Sequence, residues 1–224
     1  RAGLASSEPV LSRMESVLSG TERARADRFL QPRDRRRYII ARGCLRRLIG
    51  EYLAASPAEI ALSASEFGKP YLSDPSFDLR FNVAHSGELA LFAFARGRDV
   101  GVDLEAERPD VDWHELSPRY LAPNEVAAIS AEPTDSARQT AFFRCWTRKE
   151  AYVKALGLGM QIPLDGFAVT ILADRAALLH TAHDPGQHRR WELRDLPAAQ
   201  GFAAALAVEG RDWRLWCARH AGFP

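Results

Sequence analysis

Apolar positions recur at three- and four-residue spacing in two long stretches of this chain. In residues 34–55, Tyr38, Ala41, Leu45, Leu48, Ile49 and Tyr52 share one side of a 3.6-residue repeat, which predicts a helix. Asp34 suits its N-terminus, where the peptide dipoles favour negative charge. A second long helix is predicted from Asp135 to about Leu156. Before and between these helices the pattern changes to strand-like runs. Residues 59–65 read as a strand and 67–73 as a turn with a short extension. Residues 80–86, 89–96 and 99–105 read as three strands. The connections Ser86-Gly87-Glu88 and Gly97-Arg98-Asp99 are short enough for hairpins, so an antiparallel ladder through all three is expected. The acidic, proline-containing residues 107–112 read as a linker. Two short helices follow at 113–121 and 123–131. After the second long helix, strands are predicted at 167–172, 191–196, 201–208 and 212–219. A long helix followed by a small sheet thus occurs twice, with no clear identity between the two stretches. This order predicts an α+β pseudo-dimer, residues 1–106 and 107–224, with a cleft between the halves.

Some polar positions interrupt this pattern in ways that carry chemistry. In Val-Gly-Val-Asp-Leu-Glu, residues 100–105, Val100, Val102 and Leu104 point to one face of a strand. Asp103 and Glu105 share the other, and like charges two residues apart repel unless something positive lies between them. On the second long helix Glu150 and Lys154 are four apart and share a face, with Trp146 one turn earlier. Such pairs are common on ordinary surfaces; a tryptophan beside one points towards a partly buried site. Asp103, Glu105 and Glu150 together form a hard oxygen donor set with no thiolate or imidazole pair, which suits Mg²⁺. His85 and Ser86, in Phe-Asn-Val-Ala-His-Ser-Gly, stand at a strand end before a turn. A lone histidine is more often structural, but here side chain and backbone N–H groups could meet an anion. Lys69, in Gly-Lys-Pro, sits in a constrained turn, poised for phosphate or solvated.

Composition narrows the function classes. The chain has 224 residues, 46% of them hydrophobic, enough for a substantial core. A formal charge of +1 gives no overall bias towards nucleic acid or an acidic membrane. Locally, residues 22–47 hold ten arginines against three acids. That run is either a solvated helix face or a site for a small polyanion. Next to a Mg²⁺ centre, the second reading implies a phosphate-bearing substrate. Cys44, Cys145 and Cys217 lie far apart without a CxxC pair, which fits a reduced cytoplasmic protein. No stretch of these residues reads as a signal peptide or as an apolar run long enough to span a bilayer, so neither is expected. The first residue is Arg1 rather than Met, so a natural N-terminus further upstream is expected. The histidines of residues 180–188 raise a zinc reading, but without cysteine and with the Asp184-Pro185-Gly186 turn signal they read as a surface loop.

Taken together, Gly-Lys-Pro, Phe-Asn-Val-Ala-His-Ser-Gly, Val-Gly-Val-Asp-Leu-Glu and Trp-Thr-Arg-Lys-Glu-Ala-Tyr-Val-Lys stand in the order and spacing of the 4′-phosphopantetheinyl transferases. The chain resembles the larger, single-chain type, similar to the surfactin-synthetase-activating enzyme, from about residue 23 to 208. The resemblance implies two similar α+β halves with coenzyme A in the cleft. It implies transfer of the phosphopantetheine arm to a serine of an apo acyl or peptidyl carrier protein, releasing adenosine 3′,5′-bisphosphate. By motif, Asp103, Glu105 and Glu150 match the Mg²⁺ ligands, and Glu150 the general base. Lys154 matches the residue near the pyrophosphate. Lys69, His85, Ser86, Asp103 and Lys154 match coenzyme A contacts, and Arg25 and Arg37 match basic positions near the 3′-phosphate. Ala84 departs from the serine that many relatives carry there. A cytoplasmic monomer that binds neither nucleic acid nor membrane is expected. Residues 113–129, with Leu116, Tyr120, Leu121 and Val126, are the candidate carrier surface, with plain core packing the competing reading. Two other functions compete: a Mg²⁺-dependent phosphohydrolase, which leaves Lys69 and His85 unexplained, and a nucleic-acid-binding module, for which interleaved exposed aromatics are lacking.

Overall fold

The computed structural model describes residues 1–4, 7–182 and 184–219. In chain order the elements are β1 (Ala2–Gly3), α1 (Glu8–Ser16), α2 (Gly20–Ala26), α3 (Pro32–Leu53), β2 (Leu62–Ala64), β3 (Pro70–Leu72), β4 (Leu79–Ser86), β5 (Leu89–Arg96) and β6 (Val100–Ala106). Then come α4 (Trp113–Tyr120), α5 (Pro123–Ser130), α6 (Asp135–Leu156), β7 (Phe167–Val169), β8 (Leu178–Thr181), α7 (Gln187–Arg190), β9 (Trp191–Asp195) and β10 (Phe202–Glu209). All strand pairs are antiparallel, in sheets of order β1-β5-β4, β6-β10-β9, β2-β3 and β7-β8. The class is α+β.

Alternation along the strands stacks these elements in four layers. Leu79 and Phe81 of β4 and Phe92 of β5 pack against Leu45 and Ile49 of α3. On the opposite face, Ala84 and Leu91 meet Val100, Val102 and Leu104 of β6 and Leu206 of β10. The far side of that second sheet, at Ala205, Ala207 and Leu193, packs against Phe142, Ala151 and Ala155 of α6. The order is therefore α3, β4–β5, β6–β10–β9, α6. The first residue of β6's α6-facing row, Gly101, is fixed by this stacking: a β-carbon there would run into the backbone of Ala151 and Ala155. Alanines at positions 203, 205 and 207 of β10 keep the same seam shallow. The helix over it starts where Thr134 Oγ1 accepts the Ala137 N–H (3.1 Å) and ends at Gly157, whose φ of 69° is left-handed.

Several expectations need correction. β6 is not laddered to β5. It pairs along its whole length with β10, from Val100↔Val208 to Ala106↔Phe202, and lies face to face with the β4–β5 layer. Side chains of β4 bridge that gap: the buried Asn82 side-chain oxygen accepts the Val102 N–H at 2.9 Å, and Ser86 bonds Glu105 and the Ala106 N–H. The strand expected at 212–219 does not form. Among the described residues the segment pairs with neither outer strand of the β6-β10-β9 sheet. The strand expected at 167–172 ends at Val169 and pairs with β8, which the pattern did not predict. Helices α1 and α2 were not expected either. α2 begins with a capping box, Ser19 and Glu22 each accepting the other's backbone N–H. Of the histidines in 180–188, His180 is on β8, His188 is on α7, and His183 lies outside the described residues.

Candidate active site

The face of β6 that carries Asp103 and Glu105 is the face turned to α6. Asp103 is 2% exposed, and its Oδ1 accepts from Lys154 Nζ of α6 at 2.5 Å. Its other oxygen, Oδ2, is buried with no hydrogen-bond partner among the described residues. Glu105 Oε2 accepts from Ser86 Oγ at 3.0 Å, and Ser86 Oγ in turn accepts the Ala106 N–H at 3.0 Å. Glu150 lies one helical turn before Lys154. Burial pushes the Asp103 carboxyl above its ordinary value, against the opposing pull of Lys154. Burial and then the Asp103 charge push Glu105 up. Glu150 is raised by burial and by the charges of Asp103 and Glu105, with Lys154 opposing. Three acids on two elements thus repel one another, with Lys154 acting on all three.

This answers the demand made by the paired acids for something positive: Lys154 meets it for Asp103. An unpartnered buried carboxylate oxygen and two further raised carboxyls form a donor set that still lacks positive charge, which a hard divalent cation fits. In the present arrangement Lys154 and Ser86 hold the carboxylates. Among the described residues no group of three or more His, Cys, Asp or Glu side chains is arranged to hold a metal ion.

On one side of Glu150 and Lys154 opens a cleft of about 610 Å³. Its lining joins Lys69 and Asn82 to apolar side chains, Tyr120, Trp146, Ile162 and Leu164 among them. Tyr120 and Trp146 meet edge to face with centroids 5.9 Å apart. Lys69 is in the lining, but its ammonium is engaged with the Ala155 carbonyl (2.7 Å) and the Val100 carbonyl (3.2 Å). It ties the end of α6 to the start of β6, and burial lowers its pKa. Of the candidate carrier surface, Leu121 is core and Leu116 and Val126 pack against that core. Tyr120 alone of the four faces the cleft.

On the other side lies a basic strip. His85 is exposed at the end of β4; crowding by the surrounding chain, Lys154 and Arg37 lower its pKa. Arg37 and Arg33, one turn apart on α3, both donate to Glu88 at the β4–β5 turn. Arg25, on α2, stands apart from them, its guanidinium 5.6 Å from the Tyr38 ring centroid. Much of the arginine run is neutralised internally. Arg35 pairs with Glu15 and Asp27, Arg36 with Glu8, and Arg42 and Arg46 with Glu22. The solvated-face reading therefore holds for part of the run, and the partners come largely from α1 and α2.

Sequence reasoning missed three supports of the site. Asn82, quoted within its motif, was given no role. Arg148 is wholly buried and bonds Asp195 (2.6 Å), the Thr170 carbonyl (2.5 Å) and the Leu172 carbonyl (2.8 Å). Lys149 bonds Glu125 (2.5 Å) and the Phe167 carbonyl (2.6 Å), while Glu125 also accepts the Val169 N–H (2.7 Å). The available signal was position: Arg148 and Lys149 fall on a stretch of α6 buried on nearly every side.

Comparison with known proteins agrees across both parts of the chain. A family model described as 4'-phosphopantetheinyl transferase superfamily matches residues 99–207. One described as 4'-phosphopantetheinyl transferase, N-terminal, matches residues 5–96. The chain is 37% identical over 209 residues to the 4'-phosphopantetheinyl transferase HetI of Nostoc sp. (strain PCC 7120 / SAG 25.82 / UTEX 2576), a match spanning 92% of this chain and 85% of that protein. It is 26% identical over 212 residues to the 4'-phosphopantetheinyl transferase Sfp of Bacillus subtilis (strain 168), spanning 95% of this chain and 87% of that protein. The crystal structure of Thermotoga maritima holo-[acyl-carrier-protein] synthase (AcpS) aligns with a TM-score of 0.39 and 23% identity, over 50% of this chain and 62% of its own.

Proposed function

The chain belongs to the 4′-phosphopantetheinyl transferase family, and we propose from this membership how its site performs the transfer. The reaction moves the 4′-phosphopantetheine group of coenzyme A to a serine of an apo carrier protein and releases adenosine 3′,5′-bisphosphate. The observation that carries the assignment of residues is the set of three mutually repelling carboxylates around Lys154, placed between an apolar cleft and a basic strip. The two halves, residues 1–106 and 107–224, form a pseudo-dimer whose inter-half cleft takes coenzyme A, with β6 of the first half laddered to β10 of the second.

Asp103, Glu105 and Glu150 would hold Mg²⁺, which when bound would supply the positive charge that these acids lack and that a phosphate substrate needs. Binding a cation requires Asp103 to give up part of its hold on Lys154. That ammonium is then available to the pyrophosphate and to charge developing on the leaving phosphate. Glu150 is the general base: its raised pKa brings it nearer working pH than an ordinary carboxylate. It takes the proton of the incoming serine as that oxygen bonds to phosphorus and the pyrophosphate P–O bond breaks. The apolar cleft receives the uncharged pantetheine arm and keeps water from the reacting phosphorus. His85, Ser86, Lys69, Arg25 and Arg37 contact coenzyme A. Lys69 does so with its remaining ammonium proton, and Arg37 lies towards the 3′-phosphate. The protein works as a cytoplasmic monomer, consistent with three free cysteines and with no described helix long and apolar enough to cross a membrane.

The deciding experiment is intact-mass analysis of an apo carrier protein incubated with this protein, coenzyme A and Mg²⁺. A gain of one phosphopantetheine group is expected, lost on chelation and restored by Mg²⁺. Consumption of coenzyme A with no mass gain on the carrier would instead mark a phosphohydrolase.

A further inference from the structure

The Arg33 and Arg37 guanidiniums do something unusual for surface arginines: they converge on one atom. Arg33 Nε and Nη2 lie 3.0 and 2.7 Å from Glu88 Oε1, and Arg37 Nε and Nη2 lie 3.2 and 2.6 Å from the same oxygen. Four N–H donors thus crowd a single acceptor. A carboxylate can use two oxygens for one guanidinium fork, so two forks on one oxygen leave half its acceptor capacity idle. A phosphate monoester has three terminal oxygens and up to two charges, which suit two forks better. Glu88 reaches this place from the β4–β5 turn, where Gly87 adopts a φ of 57°. Its carboxyl is held below the ordinary value by hydrogen bonds from Arg37 and then Arg33.

The clamp is continuous with the catalytic pocket. Lys154 and Arg37 both act electrostatically on His85, and Ser86, next in sequence, bonds Glu105. Glu88 follows Ser86 by two residues, so the clamp stands at the turn that adjoins the Ser86–Glu105 contact. We propose that Glu88 is a built-in competitor for this clamp: it holds Arg33 and Arg37 until a phosphate monoester displaces it, so residue 88 sets how strongly the site prefers a ligand carrying a peripheral phosphate. This rests on the coenzyme A reading above. It adds Arg33 as a second arm and Glu88 as the specificity-determining residue.

The test is calorimetric titration of wild type, Glu88→Gln and Glu88→Ala with coenzyme A and with its 3′-dephospho form. Each variant is checked by thermal melting, and adenosine 3′,5′-bisphosphate and adenosine 5′-monophosphate are run in parallel. Removing the internal competitor should tighten coenzyme A binding about tenfold, the scale of one charge-assisted contact, and leave the dephospho form unchanged. The gain should vanish when Arg33→Ala is added. Unchanged or weaker coenzyme A binding in both folded Glu88 variants overturns the proposal, as does an equal gain for the dephospho form. If wild type binds no coenzyme A but the bisphosphate binds more tightly once Glu88 is removed, the clamp stands and the transferase reading falls.

Discussion

At the scale of single residues, the site is held by atoms that allow little substitution. Gly101→Ala places a methyl group against the backbone of α6, which cannot yield as a flexible side chain would. A loss of about 3 kcal/mol is expected from such overpacking, read as a lowered Tm, with transfer falling further because Glu150 and Lys154 ride on the displaced helix. The acids should behave in the opposite way. Asp103, Glu105 and Glu150 have folded-state pKa values above the ordinary ones, so without a cation their contribution to stability is lost as pH rises through those raised values. Glu105→Gln keeps the Ser86 contact and removes a charge. It should raise the Tm of the metal-free protein near neutral pH by about 3 °C, the shift that ~1 kcal/mol gives in a chain of this size. Below the ordinary carboxylate pKa the two proteins should melt alike, while transfer is abolished in the variant. A destabilised Glu105→Gln at neutral pH would show that the carboxylates do not strain the fold. Asp103, Glu105, Glu150 and Lys154 were legible because strand and helix periods alone fix which of them share a face. Glu88 was not, because its meaning depends on α3 passing the β4–β5 turn, which no local period reveals.

At the scale of elements, α2 is joined to α3 by one carboxylate. Glu22 Oε1 meets Arg42 at 2.5 Å and Oε2 meets Arg46 at 2.6 Å, while the fully buried Arg46 also bonds the carbonyls of Pro57 and Ile60. Burial alone would raise the Glu22 carboxyl, but the Ser19 N–H, Arg46 and Arg42 together hold it below the ordinary value. Its stabilisation is thus present above that ordinary value and is lost as pH falls through the lowered one. Glu22→Gln strands the Arg46 charge and should cost about 3–5 kcal/mol at neutral pH, measured by urea unfolding, with the difference shrinking in acid. The same network explains why α2 escaped notice. Its sequence is short and dominated by charges, and what fixes it is a capping box and a buried ion pair rather than an apolar face. Helices α3 and α6 showed themselves through long apolar repeats. The pairing of β6 was hidden because turn length constrains only the nearest neighbour in sequence, whereas Gly97, at φ 66°, turns the chain into the next layer. The expected strand at 212–219 had the composition of one, yet it pairs with none of the described strands.

At the scale of the whole molecule, the acids of the proposed site lie at a seam between layers. Asp103 and Glu105 sit on a strand whose neighbour in sequence is β5 but whose hydrogen-bonded neighbour is β10. The four-layer order was legible only in outline, as two repeats of helix and sheet, because the handover of β6 between them is a long-range packing event. That handover determines how the chain can be divided. A break in the turn at residues 97–99 leaves β6 with β10 and α6, so all three carboxylates and Lys154 stay on one fragment. A break after residue 106 strips β10 of a seven-residue ladder and puts Asp103 and Glu105 on the opposite piece from Glu150. Co-expressed fragments cut at the first place should reassociate and regain carrier labelling, whereas those cut at the second should aggregate, since the C-terminal piece then carries an open strand edge. The protein is therefore suited to division at one specific turn: two pieces, each inactive alone, that recover carrier labelling on reassembly.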